Sequence, residues 1–225
     1  VADCVWQIWG TAVHKIFEDS GIDGLKEERF EVPVSHSKVT GRVDLFDEAN
    51  GILYDWKTAS TFKITFNDFS DWKKQGLIYA WLMKQNGIEV KKCRFIALLK
   101  DHSKSKAKTD ADYPQMPVYN YEFEVTETDL AEIENFITTR IADLEKAELI
   151  PDEELPPCSE EERWHQKGKV AVMKEGRKTA IKLFDTKEEA EQNMKALGGT
   201  YLEERKGCDR RCSEYCNCNT FCPYY

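Results

Sequence analysis

Three side chains within a short stretch of this sequence could do chemistry together: Asp44, Asp55 and Lys57, in GRVDLFDEANGILYDWKTAS, residues 41–60. If the segment is two strands, Asp55 and Lys57 are two apart and project from one face, about 7 Å apart along the strand. Asn50-Gly51 between them is a tight-turn pair that folds the second strand back on Asp44. Two carboxylates meeting across a hairpin make a hard oxygen site for Mg²⁺ or Mn²⁺. A lysine beside them can orient a water or steady charge developing on a phosphate. That is equipment for phosphodiester hydrolysis. The same residues would also serve an ordinary salt-bridged hairpin, with the acids pairing Arg42 or Lys57, so the spacing alone leaves both readings open.

The elements around the hairpin must position these groups. Residues 4–19 carry Val5, Ile8, Trp9, Ala12, Val13, Ile16 and Phe17 at helical spacing, which predicts an amphipathic helix. It presents His14, and histidine is an ordinary third metal ligand as well as a common surface or core residue. Residues 29–34, 37–48 and 51–58 alternate as strands of an antiparallel meander. Residues 67–86 read as a long helix stopped by Gly87, with Gln75 and Tyr79 at i and i+4, so that an amide and a phenol share one face. A buried strand is expected over 89–100, and Cys93 inside it reads as a small core residue. A polar stretch over 101–117 is expected to be a mobile loop. Strand 118–125 and helix 126–149 follow, with Thr126 and Asp129 in the helix's first turn. After a Pro- and Glu-rich joint, residues 168–205 predict a compact ββαβ unit.

The order GTAVH, GRVD, DWK, QGLIY over residues 10–79 resembles the PD-(D/E)xK nuclease superfamily. The likeness is to the branch holding the RecB nuclease domain and the CRISPR-associated and phage recombination exonucleases. The resemblance implies an α/β fold with a restriction-endonuclease-like core, a mixed central sheet flanked by helices. It implies metal held by His14, Asp44, Asp55 and the main-chain carbonyl of Trp56, with Lys57 as catalytic lysine and Gln75 and Tyr79 as the helix pair. The second acid is Asp55 where the family commonly has Glu, and the motif allows either. Relatives often carry an upstream segment. A chain opening Val1-Ala2-Asp3-Cys4, without an initiator Met, reads as a piece of a longer protein.

The C-terminal stretch RKGCDRRCSEYCNCNTFCPYY holds five of the eight cysteines. Such crowding suits a metal site in a reducing compartment better than a secreted disulfide framework. Cys212, Cys216 and Cys222, spaced C-x3-C-x5-C, are similar to the C-terminal trio of the iron-sulfur members of that nuclease branch, where a fourth cysteine arrives from elsewhere. Three thiolates and a distant partner suit an iron-sulfur cluster or a tetrahedral Zn²⁺. Cys158 is the favoured fourth ligand, because the segment PPCSEEERW resembles the one preceding the insert in phage relatives. Cys4 is the family-style alternative, and Cys208 or Cys218 would allow a local zinc knuckle. A merely reduced or disulfide-bonded tail is the plain alternative.

The whole chain has 225 residues with 41 acidic and 32 basic side chains, a net charge of −9. Acidity alone does not exclude DNA, because carboxylates that hold metals can coexist with local basic strips. Lys104, Lys106 and Lys108, with Lys100, are the candidate strip, aided by Lys73 and Lys74 on the helix of Gln75; a solvated lysine loop reads equally well. Arg210 and Arg211 are weaker candidates among acids. Apolar residues make up 41%, enough for a packed core, and no apolar run approaches the roughly 18 residues of a membrane span. The expected layout is a nuclease core over 1–157, joint and insert over 158–206, and a cysteine tail over 207–225. The resulting expectation is a metal-dependent deoxyribonuclease, an exonuclease of recombination, repair or replication in the cytoplasm of a bacterial cell or encoded by a phage. Its partner is DNA, with a recombination protein or a second copy of itself as further partners. A non-catalytic DNA-binding module, an accessory subunit and a CRISPR-adaptation nuclease are the alternatives. The presence of Asp44, Asp55 and Lys57 together favours the enzyme.

Overall fold

The structure, a computed structural model, describes residues 5–19 and 21–225; Cys4 lies outside them. The chain divides into two compact units, Val1–Lys146 and Ala147–Tyr225. In the first, α1 (Val5–Glu18) leads into β1 (Leu25–Val34), β2 (Ser37–Asp47) and β3 (Ile52–Ala59). Next come α2 (Thr61–Phe66), α3 (Ser70–Gln85), β4 (Lys92–Leu99), α4 (Lys104–Thr109), β5 (Val118–Glu124) and α5 (Glu127–Ala147).

The five strands form one mixed sheet in sequence order. β1, β2 and β3 are the antiparallel meander, β4 runs parallel to β3, and β5 closes antiparallel to β4. Parallel neighbours need a long crossover, and α2 and α3 supply it. The periods explain the packing. β4 alternates so that Cys93, Phe95, Ala97 and Leu99 are buried. α3 sets Trp72, Leu77, Ala80, Trp81, Leu82 and Met83 into the same core, with Leu130, Ile133 and Ile137 of α5. Gly76 lets α3 close on the sheet: a Cβ there would lie 3.1 Å from Phe95 and 3.2 Å from the Cys93 sulfur. Burial pushes the Cys93 thiol far up, as suits a core residue. α1 reaches β3 through Phe17, whose ring stacks on Trp56 at 4.2 Å between centroids.

Gly41, at the head of GRVD, has a comparable role under α3. An added Cβ would sit 2.8 Å from both the Tyr79 ring and the Leu82 side chain. Gly41→Ala is therefore expected to lower stability by about 1–3 kcal/mol and to displace Tyr79, which a denaturant midpoint and the tyrosine's NMR signal would report.

Residues 101–117 are not the unstructured loop that their composition suggests. The α4 turn starts at Ser103, whose side chain accepts from the Lys106 amide. The Tyr113 hydroxyl accepts from the Ser103 amide at 2.8 Å and donates to the Asp101 carbonyl at 3.2 Å. A serine cap and a tyrosine clamp thus organise a segment with no hydrophobic period. α2, too short to show a period, is absent from the sequence reading.

In the second unit, β7 (Lys169–Met173) lies between β8 (Lys182–Phe184) and β9 (Tyr201–Arg205). α6 (Lys187–Met194) buries Ala190 against Val170 and Val172. This is the ββαβ unit, with β8 only three residues long where the alternation of TAIKLFD suggests seven. β6 (His165–Gln166) pairs with β10 (Cys208–Asp209), and α7 (Arg210–Glu214) follows.

Candidate active site

The site lies where the sheet opens. β2 and β3 pair only from Asp47↔Ile52 to Leu45↔Tyr54; at the next position the ladder stops, and Asp44 and Asp55 follow. The Trp56 amide, with no β2 carbonyl opposite, donates to Asp44 Oδ2 at 2.7 Å. The carboxylate replaces a missing rung, which fixes Asp44 against β3. On its other side Asp44 Oδ1 is 3.2 Å from His14 Nδ1 of α1.

A further acid joins them. Glu27 lies opposite Asp44 in β1, between the pairs Lys26↔Leu45 and Glu28↔Val43, with a left-handed φ of 52°. Its Oε1 is 3.9 Å from His14 Nδ1, and its Oε2 forms an ion pair with Arg42 Nε at 3.0 Å. Ligand atoms of His14, Glu27 and Asp44 all fall within 4.8 Å of one another, and they are the only such group of three among the described residues. Sequence reasoning missed Glu27. LKEERFE offers several acids in a row, and only the unusual backbone conformation and the cross-strand register single this one out.

Asp55 faces a second cluster. It is 3% exposed, and its Oδ2 accepts from Gln75 Nε2 at 3.1 Å. Lys57 Nζ lies 2.6 Å from Asp55 Oδ1, an ion pair with the buried carboxylate, and the same ammonium donates to Gln75 Oε1 at 2.8 Å. The same amide nitrogen of Gln75 donates to the Tyr79 hydroxyl at 3.0 Å. One face of α3 thereby holds both the acid and the lysine of the DWK triplet.

The electrostatics bear the mark of crowded acids. Burial lifts Asp55 to about 6, opposed by Lys57 and reinforced by Asp44. Burial likewise raises Glu27, against the pull of Arg42. His14 is raised by its hydrogen bond to Asp44, with burial opposing, and Tyr79 is raised by burial. The carboxylates of Glu27 and Asp44 with the imidazole of His14, beside the buried Asp55, form a donor set that fits Mg²⁺ or Mn²⁺.

Of the remaining candidates, Lys73 and Lys74 turn toward α5. Lys73 pairs with Asp129 at 3.0 Å, and Lys74 lies 4.8 Å from the Phe136 ring centre. Lys73 is two residues from Gln75, about 200° around the helix, so it cannot share the face that meets Lys57. Lys104, Lys106 and Lys108 lie on α4 and make no ion pair among the described residues.

Within the second unit the cysteines are unbridged. Cys212 is pushed up by burial and then by Asp209, Cys216 and Cys158. The tail is tied to the segment of Cys158: Tyr224 donates to the Leu155 carbonyl at 2.6 Å, and the Arg211 amide donates to the Arg163 carbonyl at 3.1 Å. No three cysteine sulfurs converge within 4.8 Å among the described residues. Asp209 instead pairs with Arg163 at 2.6 Å and with His165 at 2.7 Å.

No family model matches the chain, and no curated protein does. Among solved structures it is similar to SSO0001, with 18% identity over 58% of each chain and a TM-score of 0.40. It is also similar to a proposed exonuclease from Eubacterium rectale, with 13% identity over 63% of this chain and 50% of that one and a TM-score of 0.37. The chain thus spans 58% and 50% of the lengths of these two structures.

Proposed function

We propose that this chain is a metal-dependent deoxyribonuclease of the PD-(D/E)xK kind, an exonuclease that hydrolyses phosphodiester bonds at DNA ends. One observation carries the reading: Gln75 bridges Asp55 and Lys57 with its two amide ends, beside the converging donors of His14, Glu27 and Asp44. A salt-bridged hairpin needs neither the bridge nor the convergence.

In this reading Asp44, Asp55 and His14, with Glu27 and the Trp56 carbonyl, hold Mg²⁺ or Mn²⁺. Such an ion supplies Lewis acidity toward the phosphate and acidity to a bound water. The chain's own residues do the rest. Lys57, held by Gln75, places a positive charge where negative charge grows on the phosphoryl oxygens. Asp44 is anchored by the Trp56 amide and so does not move as charge develops. A water oxygen bonds to phosphorus, the ester P–O bond breaks, and the departing alkoxide takes a proton.

The test is cleavage of end-labelled linear DNA and closed circular DNA with Mg²⁺ or Mn²⁺, for wild type and Lys57→Ala. Loss of the linear form alone, abolished by the substitution, is the expected result. No cleavage of either DNA by the wild type with either metal overturns the reading in favour of a non-catalytic DNA-binding module.

The cysteine tail is part of the proposal. Cys212, Cys216 and Cys222, with Cys158, would hold an iron-sulfur cluster or Zn²⁺, supported by the bonds that tie the tail to residues 155–163. Such a site contributes folding free energy directly. Cys212→Ser is expected to remove the bound metal and lower the melting point of the second unit, read by metal analysis, visible absorption and calorimetry. Unchanged metal content and melting would remove Cys212 from the ligand set.

A further inference from the structure

Helix α2 leaves two large aromatics in water. Phe62 and Phe66, 69% and 66% exposed, are one helical turn apart and stack on each other, 5.6 Å between centroids and 19° between planes. The helix beneath them is anchored: the Thr61 amide and hydroxyl donate to the two oxygens of Asp101 at 2.7 and 3.2 Å. Elsewhere on α2, Ile64 and Thr65 line a cavity of about 310 Å³ with Tyr113, Pro114 and Met116 of the segment after α4. Lys106 of α4 stands 5.9 Å from the Tyr113 ring centre.

The topology makes these two segments neighbours. β3 and β4 are parallel and end together at Ala59↔Leu99, so α2 and α4 leave the same edge of the sheet. Lys57 and Phe62 are five residues apart, at most about 18 Å of chain and roughly five nucleotides of a stacked strand.

We propose that α2 and α4 form a nucleobase-stacking subsite, in which Phe62 and Phe66 take unpaired bases and Lys104, Lys106 and Lys108 track the phosphates of the same strand. Aromatic faces beside a lysine strip are the chemistry of single-strand binding, since every base has a π face and every link a charge. An apolar protein partner would gain nothing from three unpaired ammonium groups at its rim. Of the carboxylates nearby, Asp101 is held by Thr61 and Asp110 by the Asp112 amide, while Asp112 lines the cavity on α2. The inference deepens the nuclease reading, on which its substrate rests, by placing the strand's bases beyond the DWK strand.

The test is fluorescence anisotropy with a labelled oligodeoxythymidine and a labelled blunt duplex, in EDTA so that nothing is cleaved. Phe62→Ala/Phe66→Ala is expected to weaken single-strand binding by about ten- to a hundredfold while changing duplex binding by less than about twofold. Phe62→Trp/Phe66→Trp is expected to retain the affinity. Phe62→Leu/Phe66→Leu, apolar but without a π face, must weaken it as the alanines do, and it carries the comparison should the alanine variant melt early. Unchanged single-strand affinity, equal loss on both DNAs, or a wild-type dimer that the alanines dissociate would each overturn the subsite. Because binding is read without divalent metal, a wild type that never cleaves DNA sinks the nuclease reading alone. A wild type that cleaves but binds without regard to the rings sinks this one alone.

Discussion

Lys57→Ala is expected to slow DNA cleavage by about a hundred- to ten-thousandfold, the range for losing one positioned catalytic group, and to cost some stability because buried Asp55 loses its ion-pair partner. The side chain is partly exposed, and its contacts are polar ones to Asp55 and Gln75 plus a cation–π contact over the Phe95 ring, 5.5 Å from the ring centre. Removing it takes away a charge beside the reacting phosphate rather than core packing. Single-turnover rates at saturating DNA isolate the effect, because they exclude binding and product release. Lys57→Arg should recover little. A planar guanidinium does not fit between the Asp55 carboxylate and the Gln75 amide in the way a point charge does. Cleavage by Lys57→Ala within about tenfold of wild type would take this lysine out of the mechanism.

The second large effect concerns stability, and its sign is opposite to that of most buried substitutions. Asp55→Asn is expected to stabilise the metal-free protein at neutral pH while abolishing its response to Mg²⁺ or Mn²⁺. A carboxyl at about 6 in the folded chain against 3.8 ordinarily binds its proton more tightly folded than unfolded. The folded state carries no penalty below about pH 4, loses stability as pH rises from about 4 to 6, and bears roughly 3 kcal/mol above that. Asparagine has the shape of the protonated acid and never ionises. The variant should therefore melt with the wild type near pH 4 and roughly 5–10 °C above it at pH 7.5 in EDTA. Millimolar Mn²⁺ should raise the wild-type melting point and leave that of the variant where it was, because a ligand stabilises only the state that binds it. A difference that does not grow with pH would show that Asp55 is not held against its charge. The two results together would describe a site whose acids are kept in an unfavourable setting for the sake of a cation.

How much of this was legible beforehand follows from the range of each interaction. The DWK strand, the turn at Asn50-Gly51, the pairing of Gln75 with Tyr79 on one helix face and the ββαβ unit are all periodic or local. Period 2, period 3.6 and the Asn-Gly pair that ends a four-residue turn between Asp47 and Ile52 are written along the chain itself. Cys93 showed its burial in the same way, through the alternation of its strand. Residues 101–117 did not, because their order comes from a cap at Ser103 and a clamp from Tyr113, single polar contacts that leave no repeat. The pairing of Lys73 with Asp129 was equally silent, because the two lie on different helices.

The sequence by itself therefore determined the longer elements, their order along the chain and the residue types available for phosphodiester chemistry. Only the tertiary structure decided which of those residues meet. Glu27 joins His14 and Asp44 through a cross-strand register and a left-handed backbone. Asp55 acquires its shifted titration from burial under α3, and α2 and α4 come together because β3 and β4 are parallel. Each of these depends on groups distant along the chain being brought within a few ångströms, and neither burial nor the field of a neighbouring charge exists until the chain has folded.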